Sequence, residues 1–262
     1  MRSMDIASTG MLAQQLNVEV ISNNIANLST TGFKRQRAEF QDLLYQNVRA
    51  PGAASSDANT IVPVGVQVGI GVKTAAVYRI NEQGNLTQTQ NPLDLAIEGK
   101  GYFQVQLPDN TTAYTRAGSF QLNAQRQIVT ADGYLVIPNI AVPQGTTAVT
   151  VDASGEVQAQ VAGQTTPATV GQLQLAVFAN EAGLAAQGQN LLKETQASGA
   201  PTTANPGVND TGTIQQGFLE TSNVNVVNEI TSLITAQRAY EMNSKVIEAS
   251  DQMQQTLTNL RL

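Results

Sequence analysis

Apolar residues recur every seventh position at the start of this chain, and again at its far end. Met4, Met11, Val18 and Ile25 keep that interval, with Ala7, Ile21 and Leu28 three positions further on and Gln14 breaking the pattern once. Such a repeat is the a/d seam of paired helices. The second stripe runs through Val226, Ile230, Leu233, Tyr240 and Ile247, then slips by one residue and resumes as Val246, Ala249, Met253, Leu257 and Leu260, in the manner of a stutter. Asn223 and Asn225 in "TSNVNVVNE" are cap candidates, so a helix from about Val226 to Leu260 would be ~50 Å long at ~1.5 Å per residue.

Between the two stripes the period changes from seven to two. "IVPVGVQVGIGVK" sets Val62, Val64, Val66, Val68, Ile70 and Val72 on one face with Pro, Gly and Gln on the other, which is a strand pattern. Short strands then alternate with turn signals: "YFQVQL" and "TTAYT" around "PDN", "SFQL" and "QIVT" around "NAQR", and "YLVI" after "ADG". Residues 149–161 and 170–179 continue in kind, whereas "ETQASGAPTTANPGVNDTG" reads as turn and loop. The expected fold class is α+β: a discontinuous, coiled-coil-like terminal domain of N- and C-terminal helices, and a mainly antiparallel β central domain. Residues 1–30 and 222–262 form the terminal core, 31–68 an extended connecting segment, and 69–221 the β-rich outer domain.

Composition excludes most chemistry. A net charge of -6 and a pI near 4.7 lack the basic footprint that nucleic acid requires, and Lys34, Arg35 and Arg37 are followed at once by Glu39 and Asp42. The chain has no Cys and no His, so it holds no disulfide, no Ser-His or Cys-His pair and no usual zinc set, and no lysine lies three residues after a serine. "GIGVKT" lacks the third Gly of a dinucleotide loop and sits in a strand pattern; "GKG" at 99–101 has Asp94 where a P-loop needs Gly, and reads as a hairpin turn. Asp94 with Glu98, or Asp109 with Asp132, has no spacing that implies a glycosidase pair. "NTT" and "NDT" at Asn110 and Asn209 read as turns. No cofactor or metal is expected. No apolar run is long enough to span a bilayer, and "MRSMDIASTGMLAQQ" has no signal-peptide core, so neither lipid binding nor signal cleavage is expected.

The terminal helices carry the functional information. Packed only on each other, about a dozen apolar side chains at roughly 1.5 to 3 kcal/mol each would have to offset the ordering of about 60 residues at roughly 1 to 2 kcal/mol apiece. One solution docks both helices on the β domain as an ordinary α+β fold. The other lets neighbouring copies complete them, and a repeated head-to-tail contact of that sort generates a helical filament. The Asn, Gln, Ser and Thr that surround the stripes suit lateral helix contacts better than open water. The assembly residues are then Met4, Met11, Val18, Ile21, Ile25, Leu28, Val226, Ile230, Leu233, Tyr240, Ile247, Met253 and Leu257.

The first helix stops abruptly at "ANLSTTGFKR". Asn27 and Gly32 are expected in the left-handed conformation that ends a helix, with Ser29, Thr30 and Thr31 satisfying freed backbone groups. Phe33 and Phe40, with Leu43 and Leu44, would anchor the outgoing segment, and Lys34 and Arg35 suit the negative end of the helix dipole. The turn Asn27, Thr31, Gly32, Phe33 would fix the angle between terminal core and outer domain.

Three separated stretches resemble one family in the same order. "ISNNIANLSTTGFKRQRAEFQDLL" is similar to the N-terminal signature of bacterial flagellar rod and hook proteins, "NPLDLAIEGKGYFQVQLPDNTTAYTRAGSFQLN" to their shared central region, and "ETSNVNVVNEITSLITAQRAYEMNSKVIEASDQM" to their C-terminal helix. Within that family the length, the C-terminal match and the segment "YQNVRAPGAASSDANTIVP", Tyr45 to Pro63, resemble the distal-rod branch; proximal rod and hook-type axial subunits share the end motifs. Asp5 stands where such proteins more often carry an apolar or aromatic residue. The resemblance implies a structural, non-enzymatic subunit of the periplasmic rod, exported by the flagellar type III apparatus without signal cleavage. It also implies a helical homopolymer whose terminal helices form the inner tube, in contact with neighbouring rod and hook proteins and the surrounding L and P ring proteins. By the same resemblance the Tyr45 to Pro63 segment would wedge between subunits and stiffen the rod. The alternatives are an enzyme, which needs a pocket of convergent titratable groups, and an extracytoplasmic β-rich binding module, which leaves the two helices without a purpose.

Overall fold

The structure is a computed structural model that describes residues 2–49, 64–164 and 166–260, without the side chain of residue 257. Most of the Tyr45 to Pro63 segment, residue Val62 of the period-two stripe and the Leu257 side chain therefore lie outside the described residues. The chain divides into two compact units, one of Met1–Ile25, Gln36–Tyr78 and Asn225–Leu262, the other of Ala26–Arg35 and Arg79–Val224. They are called the terminal unit and the β unit below.

In the terminal unit, α1 (Arg2–Ala26) and α2 (Val226–Asn259) realise the two heptad stripes. Asn225 caps α2, its side chain accepting from the Asn228 N–H at 3.2 Å. Asn223, the other cap candidate, is used elsewhere. Four strands join the helices: β1 (Gln36–Asp42), β2 (Tyr45–Arg49), β3 (Val66–Gly69) and β4 (Val72–Arg79), paired β1 with β4 and β2 with β3. The segment expected as an extended connection over 31–68 is thus divided, with residues 31–35 in the β unit and the described residues from 36 onward in the terminal unit, where they pair as strands. The Val72 N–H reaches the Thr9 hydroxyl at 3.3 Å. The single strand expected from Val62 to Val72 is two, broken at Ile70 and Gly71 where both residues bond back to the Leu43–Leu44 backbone.

The β unit carries sixteen short strands in chain order, β5 (Leu86–Gln88), β6 (Leu95–Glu98), β7 (Tyr102–Gln106), β8 (Thr112–Thr115), β9 (Phe120–Leu122), β10 (Ile128–Thr130), β11 (Leu135–Ile137), β12 (Thr146–Val151), β13 (Glu156–Val161), β14 (Ala168–Gln172), β15 (Leu175–Val177), β16 (Ala185–Gly188), β17 (Leu191–Lys193), β18 (Thr202–Ala204), β19 (Thr213–Gln216) and β20 (Phe218–Glu220). The largest sheet runs β16-β17-β8-β7-β11-β10-β9, with β15 and β18 added beside β7. Its pairings are antiparallel. The hairpins read from "PDN" and "NAQR" are β7–β8 and β9–β10. The "GKG" stretch is not a hairpin turn: β6 pairs with β19, so residues 99–101 hand the chain from one sheet to another. Within the "ETQASGAPTTANPGVNDTG" loop, Thr202–Ala204 forms β18, a strand too short to leave a period.

Alternation along these strands puts Leu95, Ile97, Phe103, Val105, Phe120, Ile128, Val136, Leu173, Leu175 and Ile214 into one core. The Phe103 and Phe120 rings meet edge to face at 5.1 Å, supplying bulk that a chain without Trp otherwise lacks.

Candidate assembly interface

The two terminal helices meet through small and polar residues. Ser250 Oγ donates to Ser3 Oγ at 3.2 Å, Asn243 fills the space beside Gly10, and Asn24 Nδ2 donates to Glu229 Oε2 at 3.2 Å. A Cβ on Gly10 would stand 2.9 Å from the Asn243 amide nitrogen, the far end of a side chain that can swing aside. Ala7, Ala13, Val20, Ile21 and Asn24 on α1 are buried, as are Glu229, Ala236 and Ser250 on α2. Rising numbers on α1 meet falling numbers on α2, so the helices are antiparallel.

The structure separates the predicted interface residues into three groups. Ile21 is buried. Met4, Met11, Val18 and Ile25 on α1, Leu28 just beyond it, and Val226, Leu233 and Ile247 on α2 are half-buried. Ile230, Tyr240 and Met253 are exposed, Met253 to 60%. Val227, Ile234, Met242 and Val246 join them, Val227 at 73% and Met242 at 62%. The heptad positions of one helix pair thus do not absorb the apolar content of α2; small residues fill the seam and large ones are left outside. Gly10, Asn24, Glu229, Ala236, Asn243 and Ser250 were missed because a search for large apolar residues passes over them. Their signal was the same interval of seven, carried by small and polar types.

Thr231, Thr235, Thr256 and Thr258 each donate the hydroxyl to the carbonyl four residues back on α2, at 2.8 to 2.9 Å. These hydroxyls do not depend on water.

The helix-terminating turn belongs to the β unit apart from the last turn of α1. Gly32 adopts φ +69 and a Cβ there would stand 2.8 Å from the Arg116–Ala117 backbone, so this position needs glycine on both counts. Asn27 does not share the left-handed conformation expected of it: its carbonyl and side-chain oxygen instead accept from the Thr30 N–H and hydroxyl, both at 3.2 Å. Thr31 lends its carbonyl to Asn190 Nδ2 at 3.2 Å, and Phe33 is half-buried, its N–H on the Thr30 carbonyl at 3.3 Å. Phe40 and Leu43 are half-buried, but Leu44, expected as an anchor, is 83% exposed because it lies at the β1–β2 corner.

Within the β unit four segments are laced beside this turn. Lys34 Nζ donates to Glu220 Oε1 and Arg116 Nε to Glu220 Oε2, each at 2.6 Å, and the Gly84 N–H adds a third bond to the carboxylate at 2.9 Å. Asn223 accepts from the Arg35 N–H at 2.7 Å and donates to the Ile80 carbonyl at 2.9 Å. Glu220 is 1% exposed. Burial pushes its carboxyl up, but Arg116 and Lys34 together outweigh that and hold it below the usual carboxylate range. Burial pulls the Lys34 ammonium down, only partly offset by a carboxylate it shares with Arg116. A cleft lined by Lys34, Gln83, Lys100, Tyr102, Arg116 and Glu181 opens nearby, yet its cations are committed: Lys34 and Arg116 to Glu220 and to carbonyls, Lys100 to Asp210 at 2.9 Å. Tyr102, also in the lining, donates its hydroxyl to Glu181 at 3.0 Å. Among the described residues no set of three or more His, Cys, Asp or Glu could hold a metal ion, and no helix is long and apolar enough to cross a membrane.

Comparison with known proteins agrees along the whole chain. A family described as "Flagella basal body rod protein" matches residues 4–34, one described as "Flagellar hook protein FlgE/F/G D1 domain" matches 96–159, and one described as "Flagellar basal body rod FlgEFG protein C-terminal" matches 215–260. The chain is 61% identical to the flagellar basal-body rod protein FlgG of Caulobacter vibrioides, covering 100% of both chains. It is 53% identical to the protein of that name from Agrobacterium fabrum, covering 97% of each, and 38% identical to that of Bacillus subtilis, covering 100% of this chain and 99% of the other. This chain belongs to the flagellar basal-body rod protein family.

Proposed function

We propose that the protein is the structural subunit of the flagellar distal rod, polymerising helically through its terminal helices into a stiff shaft that passes motor torque to the hook. The observation that carries this reading is the row of large apolar side chains left exposed on α2 while small residues fill its seam with α1. Seven such side chains on one helix, at roughly 1.5 to 3 kcal/mol each when fully buried, are a large unused driving force. Copies of the same chain are the fitting occupant, because flanking threonines already bond to their own helix and the surface can go dry.

In this reading Met4, Met11, Val18 and Ile25 of one copy lie against α2 of the next, and the turn at Asn27, Thr31, Gly32 and Phe33 sets the direction in which the β unit leaves the shaft. Neighbouring rod and hook proteins, the ring proteins around the rod and the type III export apparatus are its partners, and the periplasm its place. The described start of the Tyr45 to Pro63 segment, with Tyr45 and Val48 exposed on β2, suits the role of stiffening wedge between subunits.

The test is a double substitution on the exposed face, I230D/M253D, expressed in cells lacking the wild-type protein. Basal bodies isolated from these cells should lack the distal rod, while the β unit of the purified variant melts at the wild-type temperature. Complete rods would refute the reading.

A further inference from the structure

We propose that Asn24 sets the register of the terminal helix pair, acting as a positioning residue that selects one of several sterically equivalent alignments. The paired positions advance in equal steps. From Ser3 to Gly10 to Asn24 is seven and then fourteen residues along α1; their partners Ser250, Asn243 and Glu229 retreat by seven and fourteen along α2. The same step sets Asn17 opposite Ala236.

Every layer in this ladder is small or polar, so shape alone does not choose an alignment. Moving the helices by one heptad places Asn24 opposite Ala236, Asn17 opposite Asn243 and Gly10 opposite Ser250. Moving them the other way places Asn17 opposite Glu229, Gly10 opposite Ala236 and Ser3 opposite Asn243. No large side chain is driven into another in either case. Ordinary coiled coils reject such slips by knobs that miss their holes; this seam has few knobs.

Hydrogen bonding supplies the missing choice. Asn24 is 1% exposed, and its amide pairs with the Gln36 backbone as a neighbouring strand would: Oδ1 accepts from the Gln36 N–H and Nδ2 donates to the Gln36 carbonyl, each at 2.8 Å. These two bonds fix the amide plane without reference to α2. The remaining amide hydrogen then points at one place, and the buried Glu229 carboxylate occupies it. A slip toward Ala236 turns that hydrogen against a methyl group, and a slip the other way sets Glu229 beside Asn17, whose amide the Gln36 backbone does not orient, so neither restores the bond in its native geometry, and a buried polar group short of a partner costs its desolvation with no compensation. A single buried polar layer that fixes alignment is the best-attested role for such a group.

Register matters because it decides which α2 residues stand beside which α1 residues on the outside of the pair, and so which apolar pattern is offered to another copy. Disulfide capture in the full-length protein reads it directly, since oxidation traps the pair even when it forms part of the time. The cysteine pair S3C/S250C reports the observed alignment, and N17C/N243C and S3C/N243C report the two slips. With Asn24 intact, S3C/S250C should form at least tenfold faster than either slipped pair. In an N24L/E229L background the layer becomes apolar, and that ratio should fall at least tenfold, with helix content unchanged by far-UV circular dichroism. E229Q, which keeps an acceptor for the amide, should retain the native preference. Retention of the native ratio in N24L/E229L would overturn the proposal, and so would loss of helix content there, which would make Asn24 a folding contact and not a selector.

Discussion

Replacing Glu220 by Gln removes the one negative charge at the centre of the β unit's lacing and changes its volume little. The carboxylate accepts from Lys34 and Arg116 at 2.6 Å and from the Gly84 N–H at 2.9 Å, with all three side chains less than a tenth exposed. Glutamine offers one acceptor oxygen, and its amide nitrogen must face either an ammonium or a guanidinium. Breaking a buried ion pair by neutralising one partner costs about 3 to 5 kcal/mol. For a unit of this size each kcal/mol moves the melting temperature by about 2 to 4 °C, so E220Q should melt roughly 6 to 20 °C below wild type. Near-ultraviolet circular dichroism follows the transition, because Tyr102 and Tyr114 pack against Phe178 in this unit. A fall of less than about 2 °C would mean that the cluster is solvated in solution and would refute this reading of it.

The same carboxylate makes a pH prediction. Its folded pKa lies below the ordinary value, so the stability it supplies is full above about pH 4.3 and is lost as the pH falls through its folded value. The gap between wild type and E220Q should therefore be constant near neutral pH and narrow below about pH 4, as read by urea midpoints across that range. At Gly10, alanine should change stability by no more than about 1 kcal/mol, because a gain in helix propensity offsets displacement of a movable Asn243 amide. Leucine at the same position should force the helices apart and abolish swimming in a complementation assay. In contrast K100A, which removes an exposed ion pair with Asp210, should leave the melting temperature unchanged.

Element type was legible in the sequence wherever periodicity was long. The heptad interval marked α1 and α2 to within a turn, and the turn signals "PDN" and "NAQR" marked β7–β8 and β9–β10. What sequence could not yield was pairing at long range. β6 finds β19 across more than a hundred residues, and a three-residue strand such as β18 has no period to detect. The helix seam shows a different limit. Met4, Met11, Val18 and Ile25 are half-buried, while Ser3, Gly10 and Asn24, each one position before a member of that stripe, are the residues that meet α2. Burial of polar groups was hidden for a related reason. Nothing local distinguishes Asn24 or Glu220 from exposed residues of the same type until the strand that satisfies them is in place.

On the proposed function, other copies of the chain complete the terminal helices. Limited proteolysis with intact-mass readout tests it most directly, applied to the purified protein at a concentration where sedimentation shows monomer and to basal bodies isolated from cells. In the monomer both terminal helices should be trimmed and a resistant fragment spanning about residues 79–224 should remain, whereas in basal bodies the same sites should be protected. Termini that resist cleavage in the monomer as well as the β unit does would contradict it, and the exposed apolar face of α2 would then need another explanation.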